Sequence, residues 1–189
     1  MLKILVGQAG STGILGSPLP GGGGGGAFIT SSSNAALIVA GGGGGGGADP
    51  TDNHDGDPGQ ITEEGSQSGG SNGTGGTILR YGSPSDLFEG GAGGGLIGDG
   101  ESAIIAKGGK SFANGGEGGD SMIGGSGGGG EGFDFPGARG GYSGGGVMDN
   151  RGKTIAGGGG SFNSGESPIK IEGVKEGHGK VTLVDPEQQ

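Results

Sequence analysis

Few residues in this chain could perform chemistry, and their spacing argues against catalysis. The 189 residues include two histidines and no cysteine, which excludes disulfides and thiolate metal sites. A nucleophilic site needs a histidine beside a serine or cysteine, with an acid that orients the imidazole ring. His54 lies in an acidic stretch and His178 lies between two glycines, so both are predicted to be solvent-exposed. We therefore predict that the protein is not an enzyme and has no cofactor.

Two segments resemble the end of a phosphate-binding loop, but each lacks the glycine that begins one. Such a loop has a glycine five positions before its Gly-Lys-Ser/Thr end. Gly152–Thr154 has Val147 at that position, and Gly109–Ser111 has Ile104. The spacing therefore predicts no nucleotide site of this type.

An acidic stretch offers oxygen ligands suited to calcium. Asp52, Asp55 and Asp57 bring three carboxylates close together in the chain. The stretch departs from the calcium-binding helix-loop-helix pattern, because Thr51 occupies the first ligand position and Thr62 the twelfth. The sequence leaves two interpretations open here, a loose calcium site or a solvated acidic turn.

The charge balance limits the partners. The net charge is −10 and the isoelectric point is about 4.4, opposite to what phosphate neutralisation on a nucleic acid requires. One arginine–glycine box, Arg139–Tyr142, is weak support for RNA binding on so acidic a chain. Basic partners are favoured, whether cationic proteins, metal ions or a basic ligand, and the alternative is that the carboxylates serve only to keep a glycine-rich surface soluble. The longest apolar stretch, Ala35–Ala40, is too short to span a membrane.

Glycine-rich backbone must position these candidate residues, since glycine accounts for 61 of the 189 residues of the chain. Its main unbroken runs are Gly21–Gly26, Gly41–Gly47, Gly127–Gly130 and Gly157–Gly160. Such runs are either flexible spacers or extended three-residue helices of the polyproline II type, which bond only to neighbouring chains. The runs begin and end against apolar strands, which favours polyglycine II helices packed side by side.

The remaining pattern predicts a mainly β fold with almost no α-helix, because no segment has a helical period. Serine and asparagine at Ser31–Asn34 predict the turn of a hairpin. The predicted strands are Leu2–Val6, Ala27–Thr30, Ala35–Ala40, Thr77–Tyr81, Ser102–Lys107, Ile169–Glu172 and Lys180–Val184.

The order of these segments resembles a known extracellular domain. Leu2–Gln8 is followed by Gly21–Ile29, then by Leu37–Gly47, and Gly173–Val181 contains a Glu-Gly-His-Gly motif. This order is similar to that of the glycine-rich domain of anaplastic lymphoma kinase and leukocyte tyrosine kinase receptors. The resemblance implies a partial antiparallel sandwich like that of tumour necrosis factor, with an inserted bundle of polyglycine II helices. Residues 1–40 and 165–189 would form the sandwich, and residues 41–164 the insert.

The resemblance also implies a function and a location. It implies an extracellular or cell-surface recognition domain that binds a small basic protein and allows a receptor dimer, while the acidic charge already argues against a nucleic-acid partner. Family sandwiches begin before the Leu2–Gln8 strand and contain cysteines, so Met1 is expected to fall inside a domain of a distant relative. Glu176 matches an acidic ligand-binding position of the family, and Lys180 stands where a second acid is usual.

Two other functions remain open from the sequence. Phage or bacterial adhesin tips also use packed polyglycine helices, and in that case residues 48–68 and 133–142 would be recognition loops. An ice-binding bundle needs a flat and regular face, which the irregular run lengths argue against.

Overall fold

The fold is mainly β, as predicted. The computed structural model describes residues 1–11, 20–47, 56–80, 90–119, 123–133, 135–149, 154–173 and 176–184. The strands in these ranges are β1 (Leu2–Leu5), β2 (Ala27–Ser31), β3 (Ala36–Ala40), β4 (Ile78–Leu79), β5 (Val147–Asp149), β6 (Thr154–Ala156) and β7 (Phe162–Asn163). The only helix in the described ranges is a single 3-10 turn, Phe112–Asn114.

The larger sheet is antiparallel, with the strand order β1-β2-β3-β7. The predicted hairpin is confirmed: Asn34 adopts a left-handed conformation (φ 64°), and the Ser31 hydroxyl accepts hydrogen bonds from the main chain of Ser33 and Ala35. Short polar side chains of this kind stabilise a turn by bonding to nearby main-chain groups. The strands on either side of the turn are therefore held in register locally.

The two faces of this sheet differ. On the inner face, Leu5, Phe28, Val39 and Phe162 form a row across the four strands. Phe28 is fully buried and its ring stacks on Phe112, with 5.0 Å between ring centroids. The outer face is also apolar but is only partly covered: Ile29 is buried, whereas Leu2 is 49% exposed and Ile4 and Ile38 are each 46% exposed.

A second, three-stranded sheet has the order β4-β5-β6. β4 runs parallel to β5, and β6 runs antiparallel to it. Ile78 and Val147 from this sheet are buried with three alanines, Ala92, Ala138 and Ala156. Small side chains suit this core, because glycine-rich backbone packs directly against it.

The glycine segments between the sheets are joined by hydrogen bonds that repeat every three residues. Residues 137–142, here called the central segment, show the pattern in full. Residues 137 and 140 donate N–H hydrogen bonds to the carbonyls of residues 21 and 24. Residues 138 and 141 donate to those of residues 91 and 94, and residues 139 and 142 donate to those of residues 157 and 160. In return, Gly42 and Gly45 donate to the carbonyls of Gly140 and Gly137. The central segment is therefore bonded to at least four neighbouring segments.

Contact between these segments leaves no room for side chains. A Cβ atom added to Gly94 would lie 2.6 Å from the carbonyl oxygen of Lys110 and 2.8 Å from that of Gly109. One added to Gly42 would lie 2.7 Å from the carbonyl oxygen of Gly24. Glycine is required at these positions by the close approach of main chain to main chain.

Three predicted strands are wrong. At Ser102–Lys107 the chain reverses, with the Ala103 N–H bonded to the Ala106 carbonyl, and Ile104 at the reversal is 69% exposed. Neither Ile169–Glu172 nor Lys180–Val184 forms a strand. Ile169, Ile171, Leu183 and Val184 in the last two segments are 62–83% exposed, and no described strand pairs with either segment.

The remaining strand predictions are partly correct. Thr77–Tyr81 contains β4, although Tyr81 lies outside the described residues. β5, β6 and β7 were not predicted, because each has only two or three residues and borders glycine. β7 lies within the predicted insert, yet it pairs with β3 of the larger sheet.

Candidate functional site

A cavity of about 640 Å³ opens where the larger sheet meets the glycine segments. Its lining includes Gln8–Ser11, the glycines of the Gly21–Gly26 run that bond to them, and glycines of the Gly41–Gly47 run. The ionisable side chains in the described lining are Arg139 from the central segment and Glu176, His178 and Lys180 from the C-terminal part of the chain. Its size is that of a small-molecule or peptide site.

The C-terminal rim of the cavity is fixed to the end of β1. The Gly179 N–H donates to the Gly7 carbonyl (2.7 Å), and the Ala9 N–H donates to Nδ1 of His178 (3.1 Å). Gly177 has a φ of 77°, a conformation that favours glycine, and this turns the chain between Glu176 and His178. His178 is exposed, as predicted, and both ligand-binding candidates, Glu176 and Lys180, are exposed at this rim.

Arg139 reaches the cavity from the interior. Its Nη2 donates to the Gly44 carbonyl, and its Cδ lies beside Gly24. Burial of the guanidinium lowers the pKa of Arg139 to about 10, because an apolar environment disfavours the charged form. This position is opposite to the one expected for an RNA-binding arginine–glycine box, whose arginine must be accessible.

Of the three aspartates considered for calcium, only Asp57 belongs to the described residues. Its Oδ2 accepts hydrogen bonds from the Ser66 hydroxyl and the Gln67 amide, both at 2.6 Å, and its carbonyl accepts one from the Gly44 N–H. These contacts join the acidic stretch to the glycine segments. No group of three metal-ligating side chains occurs among the described residues, and Asp52, Asp55 and His54 lie outside them.

The segments considered as recognition loops are only partly on the surface. Residues 61–64 are exposed, but Asp57, Gln60 and Ser66 donate main-chain hydrogen bonds to the strand β6 and the 157–160 glycines. In the other segment, Phe133 is 37% exposed, whereas residues 136–138 are buried. The adhesin alternative would make residues 133–142 a recognition loop, but the second half of this range is the central segment of the glycine packing.

Arg139 was not predicted from the sequence as a site residue. The available signal was its position, since a long cationic side chain among Gly137, Ala138, Gly140 and Gly141 must extend beyond closely packed backbone. The sequence could not indicate that the Arg139 side chain enters a cavity, because the cavity depends on which glycine runs are neighbours in the fold.

Comparison of the chain with protein-family models, with curated proteins and with solved structures gives no match. Among the residues that the structure describes, no helix has the length and apolar character needed to cross a bilayer.

Proposed function

We propose that the protein is a non-catalytic extracellular recognition domain, resembling the glycine-rich domain of anaplastic lymphoma kinase and leukocyte tyrosine kinase receptors. In this proposal the glycine segments are a rigid scaffold, and the partner is a small basic protein. The observation that carries the proposal is the placement of Glu176, His178 and Lys180 on one exposed rim beside a cavity.

The scaffold is proposed to consist of polyglycine II helices. The three-residue repeat of hydrogen-bond partners supports this, because a polyproline II helix has three residues per turn and presents every third residue to the same neighbour. With no side chains between them, such helices exchange main-chain hydrogen bonds in several directions. A scaffold of this kind would hold the rim in place without a conventional apolar core.

The larger sheet is proposed to be one layer of a sandwich like that of tumour necrosis factor. Its outer face supports this, because Leu2, Ile4 and Ile38 are apolar where a fully solvated face would carry polar residues. The same face and the edge of β1 that no described strand pairs with would also be available for a dimer of the receptor type.

The partner site is proposed to include Glu176, whose carboxylate would face a basic ligand, and Lys180, which would select against ligands that are basic throughout. Opposite charges across an interface mainly control specificity and the rate of association. An exposed ion pair contributes roughly 0.2–1 kcal/mol, and reversing one charge replaces this attraction by a comparable repulsion. Glu176→Lys is therefore expected to cost about 1 kcal/mol, or about fivefold in affinity.

Surface plasmon resonance with a lysine- and arginine-rich helical peptide would test this proposal. The matched control is Glu166→Lys, since Glu166 is an exposed carboxylate on the same part of the chain but away from the cavity. We expect binding that weakens with Glu176→Lys and with added salt, and that Glu166→Lys leaves within twofold of the original. Equal affinities for the two variants would contradict the proposed site.

A further inference from the structure

The guanidinium of Arg139 is mostly buried and has no carboxylate partner among the described residues. Its Nε is buried and has no hydrogen-bond partner there, and its Nη2 is bonded only to a main-chain carbonyl. Among the described residues, ion pairs join Arg80 to Glu101 and Lys110 to Asp99. A buried cation is costly unless an anion accompanies it. An anion supplied from outside would remove that cost.

The cavity wall beside Arg139 carries main-chain N–H groups with no acceptor in the described residues. They belong to Gly24 in one glycine run and to Gly43 and Gly46 in the other. Gly42 and Gly45, which are three residues apart, donate to the central segment. Gly43 and Gly46 follow them at the same spacing and line the cavity. Successive main-chain N–H groups in a concavity are a recurrent means of binding anions.

The rim adds further hydrogen-bond donors. Nδ1 of His178 accepts the Ala9 N–H, so Nε2 carries the proton in the neutral ring and is a donor. Lys180 adds a positive charge to that of Arg139, and Glu176 is the single carboxylate in the described part of the cavity lining. The described lining thus carries two cationic side chains and one carboxylate, in a protein whose net charge is −10.

We propose that this cavity binds the oxyanion group of a small ligand, a carboxylate or a phosphate, which pairs with Arg139 and accepts hydrogen bonds from Gly24, Gly43 and Gly46. The guanidinium is suited to this role, since its planar fork matches both kinds of oxyanion. At about 640 Å³ the cavity has room for a ligand larger than the oxyanion itself. This site uses Arg139 and glycine N–H groups, whereas the proposed basic partner would contact Glu176, so different residues test the two proposals although both lie at one cavity.

The test is an NMR titration of ¹⁵N-labelled protein with sodium phosphate and, separately, with sodium acetate, at pH 7 and constant ionic strength. Saturable shifts are expected at the amides of Gly24, Gly43 and Gly46. Arg139→Met keeps the length of the side-chain stem but removes the charge, and it should weaken binding at least about tenfold. The matched control, Arg80→Met, removes an exposed guanidinium and should bind as the original does.

The two titrations separate the two kinds of ligand, since the tighter of phosphate and acetate identifies the oxyanion. The proposal is overturned if neither anion gives saturable shifts at the three glycines. It is also overturned if folded Arg139→Met binds as tightly as the original protein. Should Arg139→Met fail to fold, Arg139→Lys serves instead, with an expected weakening because a single ammonium cannot form the paired contact. If the basic peptide of the first test fails to bind, the anion titration still stands, because it uses a different probe and varies Arg139 rather than Glu176.

Discussion

Replacing Gly94 by alanine tests whether glycine is required for packing. The added methyl carbon would lie 2.6 Å from the Lys110 carbonyl oxygen and 2.7 Å from the carbon of the same carbonyl. Real Cβ atoms essentially never approach other heavy atoms closer than 3.0 Å, and every atom nearest to this one is main chain. A rotamer change cannot relieve the clash, so the two segments must move apart.

The energetic cost can be estimated from the bonds that this movement strains. Overpacking of an interior costs roughly 1–3 kcal/mol. The Gly94 N–H donates to the Gly128 carbonyl (2.8 Å) and its carbonyl accepts from Gly141 (3.2 Å), and weakening both costs about 1 kcal/mol each. Alanine restricts the unfolded chain, which offsets about 0.4–1 kcal/mol. The net loss is therefore about 2–4 kcal/mol.

Urea unfolding followed by circular dichroism would measure this loss, with Gly165→Ala as the matched control. A Cβ atom at Gly165 has one neighbour within 4 Å, the side-chain oxygen of Asn163 at 3.1 Å. We expect the control to change the free energy of unfolding by less than about 0.5 kcal/mol. Equal stability of Gly94→Ala and Gly165→Ala would refute the argument that glycine is required by close backbone packing.

Two further predictions concern the ionic and aromatic contacts that hold the glycine segments. Burial alone would raise the pKa of Asp99, but hydrogen bonds from Lys110, a main-chain N–H and Asn114 hold it well below its usual range. A carboxyl with a lowered pKa stabilises the fold above its unfolded-state value of about 3.9 and loses that contribution as the pH falls through the folded-state value. The Asp99→Asn variant should therefore have a lower free energy of unfolding than the original protein at pH 7, measured in urea. This difference should shrink at pH 2, and the same difference at both pH values would contradict the prediction. Phe28→Ala should lower the free energy of unfolding by about 3–5 kcal/mol, whereas Ile104→Ala at an exposed reversal should change it by less than about 0.5 kcal/mol, and similar losses from both would contradict the assigned core.

The larger sheet could be predicted because its signals are local. β1, β2 and β3 are runs of apolar and β-branched residues, and the turn after Ser31 is marked by serine and asparagine. The strand predicted at Lys180–Val184 has the same composition but failed. A strand also needs a neighbour to complete its hydrogen bonds, and composition does not reveal whether one is present.

The arrangement of the glycine segments could not be predicted. Glycine has no side chain, so Gly24 and Gly25 are identical in sequence although Gly25 donates to Gln8 and Gly24 has no acceptor among the described residues. The cavity depends on that difference, and therefore Arg139 could not be recognised as a site residue. Glu176 and Lys180 were named from a resemblance, and the structure places both at the cavity rim.

Amide hydrogen exchange, measured by NMR for each residue of the glycine runs, would show whether glycine main chain forms the interior through hydrogen bonds that repeat every three residues. We predict that Gly42 and Gly45, which donate to the central segment, exchange slowly, whereas Gly43 and Gly46 exchange fast. Fast exchange at all four amides would contradict the account.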